Sequence, residues 1–317
     1  MAVYALLYFD FVANSLATAS DIRLAGGMLH ALMQAWAGKL GGPPREGSVL
    51  EIDFRASETF ATERHPDPFS QSWAFAATLG SVATNHEAIL RESLNAFANG
   101  QGTKPVTVVT TFARVVLETL AVQAWLIDPS VSTTDRFARW TSLDFESERN
   151  SWRIARPGVP HMDNPVAREL LSDAIRLGLN VDQGASPRWI GTNVPTSTQL
   201  SGLLIQRYAI HTGRSAAEIA SVGETFYRLF SGEMHGSVGS VLALLLPTEL
   251  ASASGAPVHT YDLSHNALWN AICLVLVSTF AARATYAEWL GIPVDSEARR
   301  LHLHHVELAV RKIAERV

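Results

Sequence analysis

The 317-residue chain has few of the residues that disulfide-linked or metal-based scaffolds need. Cys273 is its only cysteine, which excludes an internal disulfide framework and a cysteine-rich zinc site. Lysine is scarce as well, since Lys39, Lys104 and Lys312 are the only three and arginine makes up the rest of the 25 basic residues. The charged fraction is 17% and the formal net charge is −5 at pH 7. A protein that coats nucleic acid has a broad basic surface, so this balance argues against that class.

Several catalytic motifs are also missing. The only Gly-Lys pair, Gly38-Lys39, is followed by Leu40 rather than by a Ser or Thr, so the sequence has no Walker loop to bind phosphates and magnesium. It also has no GxGxxG after a predicted strand, no HExxH and no GxSxG. These absences argue against nucleotide-binding P-loop, zinc-protease and α/β-hydrolase chemistry.

A cluster of histidines near the C-terminus invites a metal interpretation. His302 and His305 share a helical face, but His304 points elsewhere. A di-metal bundle uses Glu-x-x-His pairs, whereas this segment has the reverse order, His304-x-x-Glu307. We therefore predict a polar helix face here, with no metal and no other cofactor.

The longest apolar stretch, residues 263–282, has no formal charge and is as long as a membrane span. Arg283 follows it at once, and polar residues are scattered through it: His265, Asn266, Asn270, Ser278 and Thr279. In lipid these side chains would lack partners, whereas the core of a helical bundle supplies them. We predict a buried core helix and no membrane span, with His265 hydrogen-bonded at the start of the helix and Cys273 as a buried thiol.

The N-terminal segment has no basic region before its apolar run, and Asp10 interrupts that run. A secretory signal is therefore not expected. The single cysteine agrees with a reducing compartment, so the predicted location is cytoplasmic.

Helical periodicity dominates the rest of the chain, and it predicts an all-α, multi-helix bundle with an irregular N-terminal portion. The predicted helices cover about residues 21–40, 70–98, 106–127, 135–155, 164–178, 197–212, 215–246, 262–290 and 295–316. The alternation at 50–54 suggests one short strand, and residues 180–197 and 247–257 are predicted loops. We predict one helical domain over 1–317, made of N-terminal helices and a loop (1–104), a core (105–290) and a C-terminal helix (291–317).

The stretch YRLFSGEMHG, residues 227–236, holds the most informative polar pattern. In a helix, seven residues rotate by about 700°, so Arg228 and His235 would lie within about 20° of one face, with Ser231 beside them. A fixed cation, a hydroxyl and a titratable imidazole would then be aligned over two turns. Arg114 and Glu118 are also charged residues within an otherwise apolar predicted helix, and they can pair at i, i+4.

These two segments carry a resemblance to known proteins. ARVVLETLAVQAWLIDP, followed more than a hundred residues later by YRLFSGEMHG, resembles a group of uncharacterised helical bacterial proteins. The Arg228-x6-His235 spacing is also similar to that of the HEPN superfamily, small helical bundles that include metal-independent RNases. The resemblance covers about residues 106–245 and extends towards residue 290. In active HEPN RNases a polar residue usually follows the arginine, whereas Leu229 stands here.

The resemblance implies a HEPN-like core over 105–290 and an RNase effector of a stress or phage-defence response. His235 would exchange the proton of the RNA 2′-hydroxyl, and Arg228 would stabilise charge on the phosphate, with Ser231 as a third catalytic candidate. Tyr227, together with Arg114 and Glu118, would form a supporting network. Such sites are usually completed by a second subunit, so the resemblance also implies a homodimer and a local RNA contact.

Two alternatives remain open. In the first, Arg228, Ser231 and His235 join Arg114 and Glu118 in a buried network that specifies helix packing in a non-catalytic binding module, because buried charges must be paired.

The second alternative is a helical enzyme with a small-molecule pocket lined by Trp125, Trp269 and Trp289. Aromatic residues at helical spacing are more often part of a core, which places this alternative last.

Overall fold

The structure, a computed structural model, describes residues 16–38, 40, 42–101, 106–184, 187–213, 245–251 and 257–314. Within these ranges the chain forms ten α-helices: α1 (Ala19–Trp36), α2 (Val49–Arg55), α3 (Ser57–Phe60), α4 (Pro68–Ala98), α5 (Val106–Leu126), α6 (Thr133–Ala155), α7 (Pro165–Arg176), α8 (Ser197–Thr212), α9 (His265–Trp289) and α10 (Ser296–Ala314). The strands are β1 (Asn180–Val181), β2 (Ile190–Gly191), β3 (Leu245–Ala251) and β4 (Pro257–Leu263). The strands form two antiparallel pairs, β1 with β2 and β3 with β4. The predicted all-α, multi-helix class is confirmed.

Helix α9 lies at the centre of the bundle. It packs against α5, α8, α10 and α1, and apolar residues cover nearly its whole circumference, which is the pattern of a helix surrounded by protein. Two described helices are long and apolar enough to cross a membrane, residues 108–126 of α5 and the whole of α9. Of the most apolar window of α9, 94% is buried inside the fold, as expected for a core helix.

One large hydrophobic cluster draws side chains from α1, α4, α5, α8, α9 and α10. A smaller cluster joins α6 and α7 to the β1–β2 pair and to Phe60 and Phe69. Gly191 in β2 has φ +75°, and a Cβ at this position would lie 2.3 Å from the carbonyl oxygen of Ala138 in α6. A residue without a Cβ is therefore required where this strand crosses the helix.

The predicted strand at residues 50–54 is wrong, because this segment is helix α2. The Ser48 side chain caps the helix by accepting a hydrogen bond from the Glu51 backbone N–H. Leu50 and Asp53, three residues apart, are fully buried, whereas Ile52 is 49% exposed. This i, i+3 burial is helical, and the apparent alternation arose from a short segment that fits both periods.

Two predicted loops contain strands. Residues 180–181 and 190–191 pair as β1 and β2, and β3 and β4 pair over seven residues each, from Leu245 opposite Leu263 to Ala251 opposite Pro257. Residues 245–246, predicted as the end of a helix, therefore belong to β3. The prolines that indicated a loop, Pro247 and Pro257, are accommodated because, among the described residues, β3 and β4 form a sheet of two strands, in which each strand is an edge.

Candidate functional site

The Arg114–Glu118 pair lies on α5 as predicted. The Nε and Nη2 atoms of Arg114 are each 3.0 Å from Oε1 of Glu118. Both side chains are partly buried, and an i, i+4 pair in such a setting contributes about 0.3–0.5 kcal/mol. The pair therefore stabilises α5 locally.

The other predicted site residues, Tyr227, Arg228, Ser231 and His235, lie outside the described residues. The structure thus places two members of the predicted site and leaves the catalytic arrangement as a prediction.

The C-terminal histidines do not form the predicted polar face. His304 is exposed, but His302 is 1% exposed and stacks on Phe280, with the ring centroids 4.2 Å apart. His302 belongs to the buried stripe of α10 together with Ala298 and Val306. That stripe at four-residue spacing is the signal in the sequence that would have located it. In the part of the chain that the structure describes, no group of three His, Cys, Asp or Glu residues could hold a metal ion.

Burial controls the chemistry of His302. It lowers the pKa of the imidazole to about 3, and the neighbouring His305 acts in the same direction. Neither ring nitrogen of His302 has a hydrogen-bond partner within the described ranges. A neutral imidazole packed against an aromatic ring is therefore a core side chain and not a proton carrier near neutral pH.

His265 is the first residue of α9 and is hydrogen-bonded, as predicted. Its Nε2–H donates to the backbone carbonyl of Lys312, 2.7 Å away, and its Nδ1 lies 3.4 Å from Oδ2 of Asp21. Asp21 also accepts hydrogen bonds from Thr18 at the start of α1. These contacts join α1, α9 and α10 and give His265 a structural role.

A fully partnered charge network connects α2, α6 and α9. The Nε and Nη2 atoms of Arg136 donate to the two oxygens of Asp53, at 2.8 and 2.7 Å. The Thr133 hydroxyl and the Trp289 Nε1–H also donate to this carboxylate. Because each carboxylate oxygen accepts two hydrogen bonds within the protein, the network serves packing rather than ligand binding.

The three tryptophans proposed to line a pocket are buried side chains. Trp269 and Trp289 belong to two different hydrophobic clusters, and the ring of Trp125 lies 5.2 Å from the guanidinium carbon of Arg139. Their positions are those of core residues.

A second buried charge network lies between α4 and α9. Nη2 of Arg283 is 2.8 Å from Oε2 of Glu87, and the Thr279 hydroxyl donates to Oε1 of the same carboxylate at 2.5 Å. Nη2 also lies 3.3 Å from the Thr84 hydroxyl oxygen. Nη1 of Arg283 is buried and has no partner in the described part of the chain, so this network, unlike that of Asp53, is incomplete there.

Arg283 also borders a cavity of about 610 Å³ between the end of α1, the middle of α4, α5 and α9. In the sequence, the arginine that follows the apolar stretch is the one sign of this cavity. Its wall on α5 includes Gln123, nine residues or about two and a half turns after Arg114. The Arg114–Glu118 pair therefore faces away from the cavity, and the two features are separate.

No family model, curated protein or solved structure matches this chain. The resemblance to HEPN proteins accordingly depends on the two sequence segments alone.

Proposed function

We propose that the chain is a metal-independent endoribonuclease with a HEPN-like core over residues 105–290. The observation that carries this proposal is the spacing of Arg228 and His235 in the sequence of a chain whose described part is an all-α bundle. Imidazole titrates near neutral pH, and guanidinium pairs with phosphate through two parallel hydrogen bonds, so the residue types fit the chemistry.

In the proposed reaction, His235 accepts the proton of a 2′-hydroxyl and the 2′-oxygen attacks the adjacent phosphorus. The P–O5′ bond breaks, the leaving 5′-oxygen takes a proton from water, and His235 returns the proton that it accepted to the solvent. The products are a 2′,3′-cyclic phosphate and a 5′-hydroxyl end. Arg228 stabilises the charge that develops on the phosphate, and Ser231 offers a further hydrogen bond.

The net charge of −5 requires the RNA contact to be local to the Arg228/His235 segment. A homodimer completes the site in this proposal, and its setting is the cytoplasm, in a stress or phage-defence response. The burial of α9 within the bundle supports the absence of a membrane span. Tyr227, Arg114 and Glu118 support the helices that carry the site.

The test is cleavage of RNA by the purified chain in EDTA. General acid–base catalysis contributes about 10²–10⁴-fold, so we expect His235→Ala to lower the cleavage rate at least a hundredfold. His304→Ala is the matched control, because His304 is an exposed histidine, and it should cleave like the wild type. Cleavage that persists in His235→Ala, or a wild type that does not cleave, would refute the proposal.

A second candidate is a non-catalytic helical module in which the Arg228/His235 face packs against neighbouring helices. The observation that favours it is that a buried arginine elsewhere in the bundle, Arg136, serves packing between helices through its two hydrogen bonds to Asp53. In this case, RNA is not cleaved, and Arg228→Ala lowers the melting temperature. Arg300→Ala, at an exposed position, is the control, and equal stability of the two variants would count against this candidate.

A further inference from the structure

We propose that the cavity between α1, α4, α5 and α9 binds a small molecule that has one anionic group, a carboxylate or a phosphate, on an apolar body. This site is separate from the proposed ribonuclease site and does not depend on it. Its volume of about 610 Å³ lies within the roughly 300–1,000 Å³ of small-molecule sites.

The charge of the cavity wall favours an anion. Arg91 and Arg283 are among the described residues that line it, and no lining residue among these is acidic. Glu92 is paired with Arg91 at 3.3 Å, but its side chain is largely exposed, and an exposed pair contributes little. Glu87 lies behind Arg283 and engages Nη2, which leaves the Nη1 side of the guanidinium without an acceptor.

Two buried hydrogen-bond donors of the wall have no partner among the residues that the structure describes, Nη1 of Arg283 and Nε1 of Trp36. The Trp36 residue is 7% exposed, and the Arg283 side chain is 12% exposed. A buried donor without an acceptor costs about 1–3 kcal/mol. Both groups are donors, so the ligand that satisfies them must offer acceptor oxygens. Both nitrogens are buried, so in this proposal a bound oxyanion reaches them through a shift of the two side chains.

The remaining wall suits an apolar body. Met33 and Leu40 lie near the end of α1, and Leu120 of α5 and Ala77 of α4 complete an apolar patch. Gly80 makes room for the amide of Gln123, because a Cβ there would lie 2.8 Å from Nε2 of that side chain. That amide crosses to α4 and donates to the carbonyl of Ala76, which fixes the wall between the two helices.

The first experiment measures the binding of three probes and then blocks the cavity with a larger side chain. Decanoate and decyl phosphate, both kept monomeric, are titrated into the protein by calorimetry, and decanol is the uncharged probe. We expect at least one anionic probe to bind with 1:1 stoichiometry and at least tenfold more tightly than decanol; the tighter of the two identifies the head group. Ala77→Phe should weaken binding at least tenfold. Ala74→Phe places the same side chain at another exposed position of α4 and should leave the affinity unchanged.

The second experiment tests the unpartnered donors. Trp36→Phe should weaken binding of the preferred anionic probe at least threefold while binding of decanol stays unchanged. Trp140→Phe is the matched control, since Nε1 of Trp140 is also buried without a partner but does not border this cavity. Three results would overturn the proposal: no binding of either anionic probe, equal affinity for decanol, or full affinity in Ala77→Phe. RNA cleavage is measured on the same variants, so that a failure of the ligand-binding proposal is distinguished from a failure of the ribonuclease proposal.

Discussion

His302 links burial of a single residue to the pH dependence of stability. Its pKa is about 3 in the folded chain because the side chain is buried, whereas an unfolded histidine titrates near 6.5. Above pH 6.5 both states are neutral and the residue adds no pH dependence. Between these two values the unfolded chain binds a proton that the folded chain does not. Stability is therefore lost as the pH falls, by up to about 1.4 kcal/mol per pH unit.

We expect His302→Leu to reduce this loss of stability. The measurement is the free energy of unfolding in urea at pH 7.5, 6.0 and 5.0. His211, whose pKa is lowered to about 4 chiefly by burial, contributes in the same direction and remains in the variant, so the slope should shrink without vanishing. His304→Leu removes an exposed histidine and should keep the wild-type slope. Equal slopes for His302→Leu and the wild type would contradict the prediction.

The contacts of a single residue were predictable where its partner lies near it in the chain. The Arg114–Glu118 pair follows from i, i+4 spacing alone, and the structure contains it. The burial of His302 depends instead on Phe280 and Tyr208, which are brought to it from α9 and α8. The pairing of Arg283 with Glu87 likewise joins two helices far apart in the chain. Such contacts depend on packing between helices, which a single sequence does not specify.

At the scale of elements, length decided which predictions held. α4, α5, α6 and α9 span 31, 21, 23 and 25 residues, and their apolar periodicity extends over many turns. α2 has seven residues, too few to separate a period of 2 from one of 3.6. The sequence nevertheless indicates where this helix begins, because Ser48 followed three residues later by Glu51 is the pattern of a capping box.

The contact of β2 with α6 depends on Gly191, and this dependence can be measured. Gly191→Ala would meet the carbonyl oxygen of Ala138 at 2.3 Å in addition to the strain of φ +75°. Gly158→Ala is the matched control, because Gly158 has φ +79° but open space around it. Backbone strain alone costs about 1–3 kcal/mol. We expect Gly191→Ala to destabilise the protein by about 1–3 kcal/mol more than the control in urea unfolding, since overpacking a buried site adds that much. Equal losses of stability in the two variants would contradict the prediction, because they would show that β2 shifts away from α6 at no cost.

At the scale of the whole molecule, the bundle has a centre and a periphery. α9 is enclosed by α5, α8, α10 and α1, whereas α7 packs mainly against α6 and the short β1–β2 pair. The helical class followed from periodicity, but this arrangement did not, because amphipathic patterns specify which face is buried and not which helix covers it. The cavity next to Arg283 was missed for the same reason, since its wall comes from four helices.

This arrangement predicts two levels of protection in hydrogen exchange. Amides of α9 should exchange only through global unfolding, and those of α7 through a local opening of lower free energy. Leu276 in α9 and Leu170 in α7 are both buried, and Leu→Ala in a core costs about 2–5 kcal/mol. We expect Leu276→Ala to speed exchange in the central helices α5 and α9 together. Leu170→Ala should speed it in α7 far more than in α9. The measurement is mass spectrometry of peptides from both helices, under conditions where exchange reports equilibrium opening. If the bundle were instead one cooperative unit, both variants would speed exchange equally in all helices, which would contradict the prediction.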